Sequence, residues 1–198
     1  MAQVFDGITV LDFTRGMPGG VATMVMSDFG AEVIKVESPF EKKFRESSGA
    51  VQWDRGKKSI ILDLKTPEGR EKAQKLARLS DVVIESFRPG VTRRLGIDYA
   101  NLGANHPELV YASLTGFGAE GPYANYKGYD AVVAAKTGRM MMFAGQNTRE
   151  GPNYVVVQGV CHSAATALIR GITSALYLRE KTGRGQMVET SMLKTITT

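Results

Sequence analysis

The single cysteine of this chain, Cys161, is followed directly by one of its two histidines, His162. A thiol and an imidazole are the parts of a nucleophile–base pair. Adjacent residues on a helix diverge in direction, so these two do not form a dyad with each other, and a buried small thiol beside an ordinary histidine is the simpler reading. The other histidine, His106, does not complete a metal site, because the His/Cys spacing of a ligand set is missing. Carboxylates are unevenly spread: no aspartate follows Asp130, and the acids beyond it are Glu150, Glu180 and Glu189. Gly116-Phe117-Gly118-Ala119-Glu120-Gly121 has the GxGxxG pattern. Pro122-Tyr123 follows it instead of a helix start, and no acid stands at the distance expected for a ribose. The segment reads as a plain loop that lets backbone approach a ligand.

Basic residues carry a second possible chemistry. The formal net charge is +5. It reads either as an ordinary basic surface or as the mark of an anionic ligand, nucleic acid or phosphorylated cofactor. Lys57, Lys58, Lys65, Arg88, Arg93, Arg94 and Lys127 are scattered along the chain and are not interleaved with aromatics in a nucleic-acid-binding pattern. A small polyanion fits them better than a duplex. The run Met140-Met141-Met142-Phe143 reads as core filling.

These residues need elements to position them. Ile8 to Phe13 is a short apolar run before a Gly/Pro loop and predicts a first buried strand. Val21, Met24, Val25 and Phe29 have helical spacing, with Gly30 as the cap. Glu32 to Val36 predicts the next strand, Ser38 to Gly56 an irregular surface excursion, and Ser59 to Leu64 a third strand. Thr66-Pro67-Glu68 is a helix start with a Thr cap, Pro in the first turn and an acid beside it. That helix runs to about Leu79. Asp81 to Glu85 is a fourth strand, followed by Pro89-Gly90 and short helical pieces near Val91 and Tyr99. Leu109 to Thr115 is a fifth strand, and Asp130 to Ala135 is helical. Gln146 to Asn153 has turn composition. From Gln158 to Lys181, Ala164, Leu168, Ile172, Ala175 and Leu176 share one helical face, ended by Gly183. Gln186 to Ser191 closes as a last strand. The alternation predicts an α/β fold, a Rossmann-like, doubly wound, mostly parallel sheet with flanking helices. A loop at the carboxyl end of the first strand is where such folds bind ligands.

A length of 198 residues fits one domain, 1–198, with a proper core. With 43% hydrophobic and 23% charged residues, the composition is that of a globular protein. No apolar run is long enough to span a bilayer, so no membrane partner is expected. The N-terminus lacks a basic flank leading into a signal core, and a lone cysteine suits a reducing cytoplasm. The chain stops at Thr198 without a stop signal, inside what reads as the start of another element, as a fragment of a larger fold would.

Six segments, LDFTRGMPGG, DFGAEVIKVE, RGKKSIILDLKTPEG, DVVIESFRPGVTRRLG, LTGFGAEGPYANYKGYD and LREKTGRGQMVETSM, occur in this order. Together they resemble the class III CoA-transferases (the CaiB/BaiF type), a family that includes formyl-CoA transferase and α-methylacyl-CoA racemase. The resemblance covers nearly the whole chain and implies the N-terminal, CoA-binding, Rossmann-like part of a longer fold, with the small domain and C-terminal part absent. It implies a dimer, homomeric or with a family homologue, and CoA or acyl-CoA as substrate, with a small carboxylic acid and no metal. By position, Gly16, Met17 and Pro18 match the loop against the cofactor. Leu62 and Lys65 match adenine- and phosphate-side contacts. Ser86 and Phe87 stand where Asn-Phe is usual, Arg94 and Leu95 match the next contact, and Lys127 matches a basic residue near the pantetheine arm. Lys and Arg suit the phosphates of CoA, and Phe and Leu its adenine and arm.

The resemblance also implies an aspartate nucleophile, which forms a mixed anhydride and then an aspartyl-CoA thioester. Counting back from Thr182 places it at Cys161, or at His162 if the register slips by one. The racemase branch uses a histidine whose position is Tyr129 here. Three expectations follow: an enzyme of CoA transfer in which Cys161 or His162 acts in an altered way, a non-catalytic CoA-binding subunit of an active homologue, or proton transfer beside the thioester carbonyl with His162 as base.

Overall fold

Short apolar runs pair side by side into one sheet in the computed structural model of the chain, which describes residues 3–41 and 46–197. The strands are β1 (Thr9–Asp12), β2 (Glu32–Glu37), β3 (Lys58–Ile61), β4 (Val82–Glu85), β5 (Val110–Thr115) and β6 (Met187–Ser191). Their order is β3-β2-β1-β4-β5-β6, and every pairing is parallel. Both faces of a parallel sheet are covered, which is why β4 and β5 read as continuous apolar runs rather than alternating ones. The doubly wound α/β expectation holds.

Alternate strand residues serve opposite faces. Val10, Val82, Ile84, Ala112 and Leu114 belong to the core of one face. That face is covered by α1 (Met17–Asp28), α6 (Asp130–Lys136) and α7 (Gly159–Thr182). On α7 the buried residues include Ala164, Leu168, Ile172, Ala175 and Leu176, the stripe read from the sequence. Leu11, Val83, Leu109 and Tyr111 point the other way, onto Ala73 and Ala77 of α3 (Pro67–Arg78) and onto Ile97 and Leu102. Thr66 caps α3 as expected, its Oγ1 accepting the Gly69 N–H at 3.0 Å. The short helices near Val91 and Tyr99 are α4 (Val91–Leu95) and α5 (Tyr99–Gly103).

Four details differ from the sequence reading. Helix α1 begins at Met17, not Val21, because Pro18 falls in the first turn, where a missing N–H costs nothing. Strand β3 leaves the sheet at Ile61, and Leu62 turns into the core instead. The Ser38–Gly56 stretch holds α2 (Ser48–Trp53), started by Ser47 Oγ accepting the Ala50 N–H. The methionine run is a 3-10 turn (Arg139–Phe143), in which Met140 packs on the core but Met141 and Met142 are 57% and 76% exposed. Core filling is therefore wrong for two of the three: with three residues per turn, consecutive side chains cannot all face one side. Residues 42–45, within the predicted excursion, and Thr198 lie outside the described residues. Helix α8 (Met192–Thr197) follows β6 directly.

Candidate functional site

Strands β1 and β4 are neighbours, but the chain leaves them in opposite directions, to α1 on one face and toward α4 on the other. A crevice opens at such a switch point, outside the carboxyl ends of the strands. Its two lips are tied: the Arg15 N–H donates to Ser86 Oγ at 2.8 Å, and the Phe13 N–H to the Ile84 carbonyl at 2.8 Å. The Arg15 guanidinium lies 5.4 Å from the Phe87 ring centre and pairs with Glu41 at 2.8 Å. Ser86 thus supplies the side-chain tie between the lips.

The outer part of the crevice has a volume of about 910 Å³ and is lined by Leu62, Lys65, Ser86, Phe87, Arg94, Leu95 and Lys127, with Arg15 and Arg88. The inner part, about 510 Å³, is lined by Gly16, Met17, Pro18, Ser86, Phe87 and Cys161, with Asp130 and Tyr154. Arg15, Ser86, Phe87, Arg88 and Pro89 line both, so the two form one continuous cleft. The structure therefore brings together every candidate residue except His162, which is exposed on α7 and lines neither part. Among the described residues, Lys65, Arg88, Arg94 and Lys127 make no ion pair, so their charge is available to an anion. Gly16 turns the chain into the inner part at φ 81°, a conformation that favours glycine. The GxGxxG segment is a loop, as expected. A Cβ on Gly116 would lie 2.4 Å from the Gly128 Cα, so this glycine serves a close backbone crossing at the cleft wall.

Beneath the β1 loop lies a cluster that sequence reasoning did not assemble. Asp12 is wholly buried and accepts from the Thr14 N–H at 2.7 Å, the Thr14 hydroxyl at 2.6 Å and the Thr23 hydroxyl at 2.7 Å. Lys35 Nζ approaches it at 3.2 Å and Lys57 Nζ at 3.4 Å. Lys35 also donates to the Thr14 carbonyl, and Lys57 to the Gly20 carbonyl at 3.2 Å. Burial pushes the Asp12 carboxyl up, but the two ammonium groups and two hydroxyls outweigh it and hold it below its ordinary 3.8. The signal was present in the sequence: Lys35 shares a strand face with the buried Val33, an unusual place for a lysine unless it is paired.

At the inner end, Asp130 is buried at the start of α6 and reaches across to α7. Its Oδ2 accepts the Cys161 N–H at 2.9 Å and its Oδ1 accepts the Tyr154 hydroxyl at 3.2 Å. It satisfies a free N–H in the first turn of α7, as a capping carboxylate does. Burial, and then the Asp130 carboxylate, push the Cys161 thiol up to about 12. At pH 7 roughly one such thiol in 100,000 is ionised, so Cys161 is a poor nucleophile in this setting. Among the described residues, no group of three or more His, Cys, Asp or Glu is placed to hold a metal ion, and no helix is long and apolar enough to cross a membrane.

The cleft can hold a phosphorylated ligand by its basic outer rim and an apolar or amide arm along Phe87 and the Gly16 loop. The acetyl-CoA:oxalate CoA-transferase of Acetobacter aceti is 38% identical over 95% of this chain and 50% of its own length. A solved structure from Mycobacterium tuberculosis superposes with a TM-score of 0.92 at 35% identity, covering 98% of this chain and 56% of that one. A CaiB/BaiF family protein from Brucella suis superposes at 0.87 and 34% identity, covering 100% and 55%. The chain spans about half the length of the curated relatives it matches. Residues 5–198 match the profile of CoA-transferase family III, and the chain belongs to that family.

Proposed function

We propose that this chain is the N-terminal, CoA-binding part of a longer fold, and that it binds CoA or an acyl-CoA for transfer of CoA between small carboxylic acids. One observation carries the reading: residues assigned to CoA from four separated segments line one continuous cleft at the switch point of the sheet. In it, Lys65 and Arg94 meet the phosphates, Leu62 and Leu95 the adenine, Phe87 and Lys127 the pantetheine arm, and the thioester end reaches the Gly16-Met17-Pro18 loop. The relatives' names fit such a role; those of Acetobacter aceti and Agrobacterium fabrum are CoA-transferases for oxalate and for succinate and glutarate. The longer protein works as a dimer, homomeric or with a family homologue, in the cytoplasm.

A second reading, a non-catalytic CoA-binding subunit, is favoured by the state of Cys161. By the resemblance the thiol takes the place of the nucleophilic carboxylate, and it is pushed up to about 12. The proton-transfer reading with His162 as base is disfavoured, because His162 lines neither part of the cleft. Native mass spectrometry of the chain with CoA and with acetyl- or succinyl-CoA tests these readings together. Bound CoA without a covalent adduct supports the binding subunit. An acyl or CoA mass mapped to Cys161 supports the enzyme, and no bound CoA overturns the ligand assignment.

A further inference from the structure

Glu85 ends β4 immediately before Ser86 and Phe87, which line both parts of the cleft. Its side chain does not enter the cleft. It turns beneath the wall, 4% exposed, and Oε2 accepts the Phe87 N–H at 2.7 Å. The register sets Ser113 of β5 beside it and Glu189 of β6 beyond Ser113. Tyr111, on the same face of β5, donates its hydroxyl to the Ile97 carbonyl at 3.1 Å. Arg88 on the loop and Arg93 and Arg94 on α4 are exposed, and Arg88 and Arg94 line the outer cleft instead. Glu85 therefore faces a hydroxyl, a phenol and another carboxylate, and what it holds is the amide of Phe87.

We propose that Glu85 is a positioning residue whose carboxylate fixes the Phe87 wall of the cleft, so that protonating it weakens the cleft's grip on its anionic ligand. The proposal rests on the CoA reading above. An ionised carboxylate is about twice as strong an acceptor for an amide as a neutral acid. Burial raises this carboxyl, the Ser113 hydroxyl and Phe87 N–H oppose that only in part, and the group titrates near pH 6. The phosphate monoester of CoA also titrates at about 6, but it is common to every variant, so the comparison between variants isolates the protein's share.

The test follows the Phe87 amide by ¹⁵N NMR from pH 5 to 8 in the ligand-free chain, and CoA affinity by calorimetry over the same range, for wild type, Glu85→Gln and Ser113→Ala. In the wild type the amide should shift with a midpoint near 6, and CoA should bind roughly fivefold more weakly at pH 5 than at pH 7.5 beyond the change seen for Glu85→Gln. In Glu85→Gln, where a carbonyl accepts the amide at every pH, the amide shift should be flat. Ser113→Ala removes a hydroxyl that favours the charged form, so its midpoint should rise; it carries the test if Glu85→Gln fails to fold. An amide that does not titrate, or CoA profiles that superpose for wild type and Glu85→Gln, overturns the proposal. A titrating amide with no CoA binding at any pH overturns the ligand reading instead and upholds the hold of Glu85 on Phe87.

Discussion

Asp12 and Glu85 end neighbouring strands, and each is removed almost completely from water, at 0% and 4% exposure. Their acidities move in opposite directions. On its face of the sheet Asp12 meets Lys35 and Lys57; on the other face the groups acting on Glu85 are a hydroxyl, an amide and the Glu189 carboxylate. Burial penalises both charges, so the difference lies in what the register of the adjoining strand supplies. For Asp12 that is Lys35 of β2, its direct register partner, and for Glu85 it is Ser113 of β5. The first lip of the cleft is thus held by a compensated ion cluster, and the second by a carboxylate that stays responsive to pH.

The largest expected effect comes from breaking the compensation. Lys35→Met leaves Asp12 buried beside a single, longer ammonium contact, and loss of one partner of a buried pair costs about 3 kcal/mol. Urea unfolding at pH 7 measures it. The sign of the pH dependence also follows. The folded Asp12 carboxyl titrates below 3.8, so its contribution is complete above that value and is lost as pH falls through the folded pKa. In Lys35→Met this loss should move to higher pH. A variant as stable as the wild type would mean that Lys57 alone compensates Asp12.

Glu85→Gln should act in the opposite direction. The native state keeps the Glu85 proton up to about pH 6, whereas an unfolded glutamate releases it near 4.5. Between those values the native state binds more protons, so wild-type stability falls as pH rises across the window. A neutral glutamine removes that loss, with a gain of up to about 2 kcal/mol at pH 7 and none at pH 4. Unfolding curves at the two pH values check it, and an equal change at both would show that packing, not ionisation, is responsible. A gain in stability together with a flattened ligand response is the usual exchange at a functional position.

Asp130 is intermediate, a buried carboxylate held by a helix N-terminus rather than by a lysine. Asp130→Asn should cost about 1 kcal/mol through the weakened cap on α7. It should also bring the Cys161 thiol down from about 12, because the charge beside it is gone. The pH dependence of Cys161 alkylation reads this directly. An unchanged profile would make burial alone responsible for the inert thiol.

What the sequence made legible follows from which forces are local. The strands and the α7 stripe were readable because apolar periodicity is set by the face a residue must bury. The outer cleft was readable because its residues lie in contiguous segments such as ILDLK and ESFRPG, whose resemblance fixed their place. The Asp12 cluster was not assembled, since Asp12, Lys35 and Lys57 lie on three different segments and only the β1–β2 register joins the first two. Cys161 and His162 show the same limit at close range. They are adjacent in sequence, but helix geometry sends one into the cleft and leaves the other exposed outside it.

The smallest effect is the control that sharpens the comparison. Lys72 and Glu68 on α3 lie 2.7 Å apart, closer than either lysine lies to Asp12, and both are largely exposed. The hydrogen bond and charge of Lys72 lower the Glu68 carboxyl, and Glu68 in turn raises Lys72. Water and salt screen such a pair, and two long side chains lose freedom to form it. Lys72→Ala should therefore leave the thermal midpoint unresolved from that of the wild type, at low and high salt alike. If it instead destabilised the chain as Lys35→Met does, distance rather than burial would govern these carboxylates, and the contrast between Asp12 and Glu85 would need another cause.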